Sequence, residues 1–149
     1  MKKTRWGLLL LLVLVMVCGA CGGAAPEASQ GTFVFSDAAT TKIYTVADLE
    51  KLPVSESVFN EVTYKGVSLT ALLGDAGFDA GALKAVKAVA ADGYSVNYDP
   101  AAFQRDDVLV AYATAEGSLT AEDGVLRMVL PGEEGKLNVR MLTELKVVP

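Results

Sequence analysis

The chain has 149 residues, 52% of them hydrophobic, with 13 basic and 18 acidic side chains and a formal charge of −5. Its two cysteines are Cys18 and Cys21 and it has no histidine. Everything after Cys21 therefore lacks a disulfide, a soft-ligand set for zinc, copper or haem, and a histidine base for a catalytic triad. The acidic balance argues against nucleic acid, which needs concentrated positive charge.

The start, Met1-Lys2-Lys3-Thr4-Arg5, is short and basic, and Gly7 to Val17 is an apolar run too short for a stable bilayer span but of the right size for an export signal. The run ends in Gly19-Ala20-Cys21, an ending similar to the bacterial lipoprotein signal, where small residues precede a lipid-modified cysteine. Val17 makes Cys18 the poorer candidate. Residues 1–20 are thus expected to be a signal peptide and Cys21 a diacylglycerol-bearing residue, often with a third acyl chain, which gives durable membrane anchoring. Loss of residues 1–20 removes three bases and no acid, taking the formal charge from −5 to −8. Residues 21–30, rich in Gly, Ala, Pro and polar side chains, read as a lipidated flexible tether. Residues 31–149 have the length for one ordinary core.

Within that stretch Thr32 to Phe35 reads as a short strand. Thr45 to Asp48 has the capping-box pattern of a helical turn that runs to Leu52 and is ended by Pro53. Val58 to Lys65 alternates as a strand, with Gly66 at the turn. Ser68 to Gly77 reads as a short helix, Ser68 capping it and Gly77 stopping it. Leu83 to Ala91 has helix-forming Ala and Lys, yet Asp92-Gly93 and the alternating Tyr94, Val96 and Tyr98 that follow suit a hairpin. Asp99-Pro100 opens another helical turn. Asp107 to Ala113, Gly124 to Leu130 and Leu145 to Val148 read as strands, the second closed by Pro131-Gly132. Short strands with two or three short helices between them predict a compact α+β domain with a mixed sheet.

Five blocks of this stretch resemble, in order, the molybdopterin-binding domain of the sulfite oxidase family: Tyr64 to Leu73, Ala91 to Val96, Asp107 to Tyr112, Gly124 to Gly132 and Gly135 to Leu142. The likeness runs from about Tyr44 to Val148. It implies that fold, and with it a sheet assignment for Leu83 to Ala91. Enzymes of the family hold molybdenum through a cysteine upstream of the block matched by Lys65-Gly66-Val67, and no cysteine stands in that region here. The family's Arg two residues after the Gly matched by Gly135 falls on Leu137, and its Trp falls on Met141. What remains of its pterin-contacting set is Arg127, Asn138 and Arg140, the last in place of a family Lys. These three are the cofactor-binding candidates that the resemblance implies.

Each candidate also has a plainer structural explanation. Arg127, in an apolar strand, has solvent or Glu133 and Glu134 as partners. Lys136, Asn138 and Arg140 follow a Gly-Glu-Glu-Gly turn whose N–H groups are able to form an anion nest, although two glutamates oppose a phosphate and favour ordinary charge pairing. Tyr94, Tyr98 and Tyr112 either line a pocket or lie on one sheet face with their hydroxyls at its rim. The aspartates sit mainly at caps and turns, no calcium loop is present, and no serine has a histidine partner or nucleophile-elbow motif. No catalytic or metal-ligating residue is assigned. The expected function is a non-catalytic, extracytoplasmic envelope lipoprotein, a binding or accessory module with no cofactor of its own, held to the membrane through Cys21 and meeting an envelope protein partner. The alternative is a protein that binds molybdopterin or another anionic cofactor within an oxidoreductase system.

Overall fold

Phe33, Val34 and Phe35 are consecutive and all buried, so the first strand, β1 (Thr32–Ser36), is apolar on both sides and lies inside a sheet. The computed structural model describes residues 31–149. The expected signal peptide (1–20) and the Cys21 tether (21–30) lie outside the described residues. After β1 come β2 (Thr41–Thr45), α1 (Val46–Leu49), β3 (Val54–Phe59), β4 (Val62–Ser68), α2 (Leu69–Ala76), β5 (Ala85–Ala90) and β6 (Ser95–Tyr98). The chain continues through α3 (Pro100–Phe103), β7 (Leu109–Thr114), β8 (Gly117–Ser118), β9 (Arg127–Val129) and β10 (Leu142–Val148), with single 3-10 turns at Ala80–Ala82 and Gly135–Leu137. None of the described helices is long and apolar enough to cross a membrane.

The strands form two sheets. The first has the order β2-β1-β10-β5-β6 and is mixed: β1 runs parallel to β10, and the other neighbours are antiparallel. The second is antiparallel, in the order β3-β4-β7-β8, with β9 also paired to β7. This is the expected α+β class with a mixed sheet. One core joins the sheets, containing Phe33, Phe35 and Leu145 from the first, Val67, Val110 and Met128 from the second, and Leu69, Leu72 and Leu73 from α2. On the second sheet's other face Tyr64, Leu109, Ala111 and Val129 form a smaller cluster with Phe59 and Leu119. Consecutive residues of β7 therefore supply both clusters.

The caps form as their side chains dictate. Thr45 Oγ1 accepts from the Asp48 amide at 3.2 Å while the Asp48 carboxylate accepts from the Thr45 amide at 3.1 Å. Ser68 caps α2 through the Ala71 amide, and Gly77 ends it at φ +90°. Asp99 caps α3, with Pro100 in its first turn. The ambiguous stretch is strand: β5 buries Val86, Ala88 and Ala90 on alternate positions and pairs with β10 on one side and β6 on the other. Pairing on both edges overrides the helical preference of Ala and Lys.

Two strand expectations are corrected. Of the stretch Gly124 to Leu130, only Arg127–Val129 is strand. The chain does not run as a single strand from Val58 to Lys65 with Gly66 at the turn. It reverses at Asn60-Glu61, both at positive φ (+49° and +65°), between paired Phe59 and Val62, the backbone of a two-residue hairpin. Gly66 sits inside β4, where the register against β7 shifts. A Cβ there would fall on the Val110 carbonyl and within 2.6 Å of Ala111 Cα, so this glycine allows close strand approach at a bulge.

Candidate functional site

The segment after β9 is laced to its surroundings by backbone hydrogen bonds. The Met128 amide donates to Val139 O at 2.7 Å, Leu142 N to Leu126 O at 2.8 Å, Met141 N to Asp123 O at 2.8 Å, and Ala91 N to Met141 O at 2.9 Å. Met141 is held between the last two at φ +49°, a backbone conformation that costs a non-glycine residue energy and persists only where the surroundings enforce it. Gly124 leaves room for it, since a Cβ there would come within 2.9 Å of Met141 Cα. This strained turn presents Arg140 and Met141 to an open concavity of about 590 Å³.

The concavity lies between the β5–β6 turn and the segment 135–141. Ala90, Tyr94, Val139 and Met141 supply apolar surface, while Asp92, Glu122, Lys136 and Arg140 bring two charges of each sign. Arg140 Nη1 donates to Glu122 Oε2 at 3.0 Å, and Lys136 Nζ to Glu134 at 2.6 Å. The second pair raises the Lys136 pKa and lowers that of Glu134. Both pairs are exposed and so contribute little to stability. The Tyr94 hydroxyl donates to Lys136 O at 2.8 Å and the Tyr98 hydroxyl to Leu137 O at 2.6 Å, fixing the 3-10 turn from the hairpin side. Burial pushes the Tyr98 phenol well above its usual range, which keeps it a donor.

The three residues singled out from the sequence occupy different settings. Arg140 lines the concavity. Asn138 also borders it, but its side chain is buried and closes the Pro131–Leu137 loop: Oδ1 accepts from Leu130 N at 2.7 Å and Nδ2 donates to Glu134 O at 3.2 Å. Arg127 lies on the outer face of the second sheet, 4% exposed, between the rings of Tyr64 and Phe59. Its Nη1 donates to Asp123 at 2.6 Å and to the Tyr64 hydroxyl at 2.9 Å. Its partner is therefore Asp123, not solvent, Glu133 or Glu134. Glu133 pairs instead with Arg105 and Glu134 with Lys136. The tyrosines do not share one sheet face: Tyr94 and Tyr98 flank the 135–137 turn, whereas Tyr112 belongs to β7 of the other sheet. Sequence reading missed Glu122 and Asp123, because nothing local marks which basic residue each will meet.

Residues 29–149 match the family model described as the oxidoreductase molybdopterin binding domain. The chain belongs to that family. Among solved structures, the sulfane dehydrogenase SoxCD from Paracoccus pantotrophus is similar at 20% identity and a TM-score of 0.66, over 78% of this chain. The likeness is one of fold, and this chain spans 38% of the length of that one. No curated protein matches the chain.

The family's name implies a molybdopterin, and the donors in this oxidoreductase molybdopterin binding domain fit it in part. Lys136 and Arg140 are cations in exposed, displaceable pairs and suit the phosphate end of such a cofactor. The metal is another matter. The described residues include neither cysteine nor histidine, and no group of three or more carboxylates among them gathers to hold an ion. A soft metal centre finds no protein ligand in this set.

Proposed function

We propose that this domain binds an anionic ligand of the phosphate-bearing pterin class in the concavity at Arg140, as an accessory member of an oxidoreductase system and not as a complete metal-holding enzyme. The observation that carries the reading is the strained Arg140-Met141 turn. A backbone held at φ +49° by hydrogen bonds from two other segments is a preorganised mount for the cation beside it. Arg140 and Lys136 would hold the anionic group, Tyr94 and Met141 would offer apolar surface to a ring, and Asn138 would keep the loop in shape from within. Arg127 supports the outer face of the neighbouring sheet and does not contact the ligand. Family membership supports the ligand class, and the absence of thiolate and imidazole from these residues supports the accessory role.

The sequence of residues 1–21 supports an extracytoplasmic setting, with the domain anchored to the cell envelope through lipid on Cys21 and presented to a protein partner. Native mass spectrometry of the chain purified from its own host's envelope, with elemental analysis for molybdenum, tests the reading. A bound mass of a pterin cofactor at sub-stoichiometric metal is expected. A bare polypeptide mass, under conditions that preserve a control cofactor protein, would overturn ligand binding. Stoichiometric molybdenum would overturn the accessory role.

A further inference from the structure

The loop from Asp123 to Arg127 is closed by the side chains at its two ends. Arg127 Nη1 donates to Asp123 Oδ1 at 2.6 Å, and both side chains are buried. Tyr64 fixes the guanidinium from the other side: its hydroxyl accepts from Nη1 at 2.9 Å, and its ring centre lies 4.6 Å from Arg127 Cζ. The amides of Asp123 and Gly124 both donate to Thr120 O at 3.1 Å, which holds the start of the loop. The Arg140 turn is built against this loop. Asp123 O accepts from Met141 N, Leu126 O accepts from Leu142 N, and Met128 N donates to Val139 O. Arg140 therefore stands between two residues, Val139 and Met141, that are each tied to the 123–128 segment. The bond from Asp123 is the one made by the strained residue, Met141 at φ +49°. Such a conformation costs about 1–3 kcal/mol and relaxes when its supports loosen.

We propose that Arg127 is a positioning residue for Arg140. Its ion pair with Asp123 clamps the 123–127 loop, the Asp123 carbonyl holds Met141 in the left-handed conformation, and that backbone aims the neighbouring Arg140 guanidinium at the concavity. The inference rests on the anion-binding reading above. Arg127 does not line the concavity and is 4% exposed, so it acts through the backbone and not on a ligand. The side-chain contact of Arg140 with Glu122 is exposed and holds it weakly, which leaves its placement to the turn. An apolar side chain at 127 would leave the buried Asp123 carboxylate without its counter-charge. That carboxylate gains by turning toward water, and the turn moves its own carbonyl away from Met141.

Two measurements on the full chain in neutral detergent test the proposal: amide hydrogen exchange followed by nuclear magnetic resonance, and calorimetric titration with inorganic pyrophosphate as the probe anion. The set comprises the natural protein, Arg127→Met, Arg127→Lys, Arg140→Gln, and Leu73→Ala, a comparably destabilising change in the main core away from the loop. The amides of β5, a strand paired on both edges, report global unfolding. In Arg127→Met the Met141 and Leu142 amides are expected to lose protection at least about tenfold beyond the loss in β5, whereas in Leu73→Ala all fall together. Pyrophosphate is expected to bind Arg127→Met about tenfold more weakly than the natural protein, the worth of one charge-assisted contact, and Leu73→Ala with unchanged affinity. Arg127→Lys, which keeps a cation beside Asp123, should recover part of both losses. If Arg127→Met does not fold, the double variant Arg127→Met, Asp123→Asn, which leaves no lone charge, takes its place in both measurements. Met141 and Leu142 amides that exchange in step with β5 would overturn the tie. Pyrophosphate bound equally by the natural protein and Arg127→Met, but lost in Arg140→Gln, would overturn the positioning role and leave the anion site standing. Pyrophosphate bound equally by Arg140→Gln, or by none of the proteins, would overturn the anion site and with it the role of Arg127, whatever the exchange shows.

Discussion

Arg127 and Asp123 are 5% and 8% exposed in their side chains, and their contact is 2.6 Å. A buried pair of this kind need not be better than two apolar groups, but removing one member leaves a charge without a partner in a poorly solvated place. Arg127→Met is accordingly expected to destabilise the domain by about 3 kcal/mol, read as a lower urea midpoint. The double variant Arg127→Met, Asp123→Asn should recover part of that loss, since no lone charge remains. If the single variant unfolds at the natural midpoint, the pair contributes nothing. The sequence marked Arg127 as unusual, a cation in an apolar strand, and that much was legible. Its partner was not. Asp123 precedes a glycine and reads as an ordinary turn residue, and only the placement of β9 against β7 brings Tyr64 to the same guanidinium. Arg140 was legible through resemblance, while its partner Glu122 depends on tertiary placement alone.

Elements whose identity is set by local chemistry were the readable ones. The reciprocal Thr45–Asp48 bonds, the Ser68 cap and the Gly77 stop each lie within a few residues of chain, and each forms as its side chains require. The strand β2 was not read, because Thr41 to Thr45 is mostly exposed and its alternation carries little apolar signal. What fixes it is pairing with β1 and a polar tie to the end of α2. Tyr44 donates its hydroxyl to Asp75 Oδ2 at 2.6 Å, and Lys42 Nζ reaches the Asp75 carbonyl at 2.6 Å. The Tyr44 hydroxyl, with Lys42 adding, holds the Asp75 carboxyl below its ordinary 3.8. A carboxyl depressed on folding stabilises the folded state above its unfolded value and loses that contribution as the pH falls through the lower folded one. Tyr44→Phe is therefore expected to cost about 1 kcal/mol at pH 7, and the gap from the natural protein should close progressively below about pH 3.8. Urea unfolding at pH 7, 5, 4 and 3 measures it. A gap that stays constant to pH 3 would assign the loss to packing instead of the hydrogen bond.

At the scale of the molecule, the two sheets share one core while the concavity opens among turns, beside the β5–β6 hairpin and the 135–141 segment. Stability and binding should consequently separate by residue. A ligand that binds only the folded state stabilises it by RT ln(1 + [L]/Kd), about 2.7 kcal/mol at a hundredfold excess over Kd. For a domain of this length that is roughly a 10 °C rise in Tm. Tyr44 and Asp75 line a different concavity from Arg140, so Tyr44→Phe should lower the starting Tm yet keep the full pyrophosphate-induced rise. Arg140→Gln removes only an exposed pair and should leave the starting Tm within a degree or two while abolishing the rise. Thermal melts of the three proteins, with and without inorganic pyrophosphate as the probe anion at about a hundredfold excess over its Kd for the natural protein, decide this. A rise that survives in Arg140→Gln would move the anion site elsewhere on the molecule. A rise lost in Tyr44→Phe would mean that the two concavities communicate, and that the one at Arg140 depends on the β2–α2 tie through the shared core.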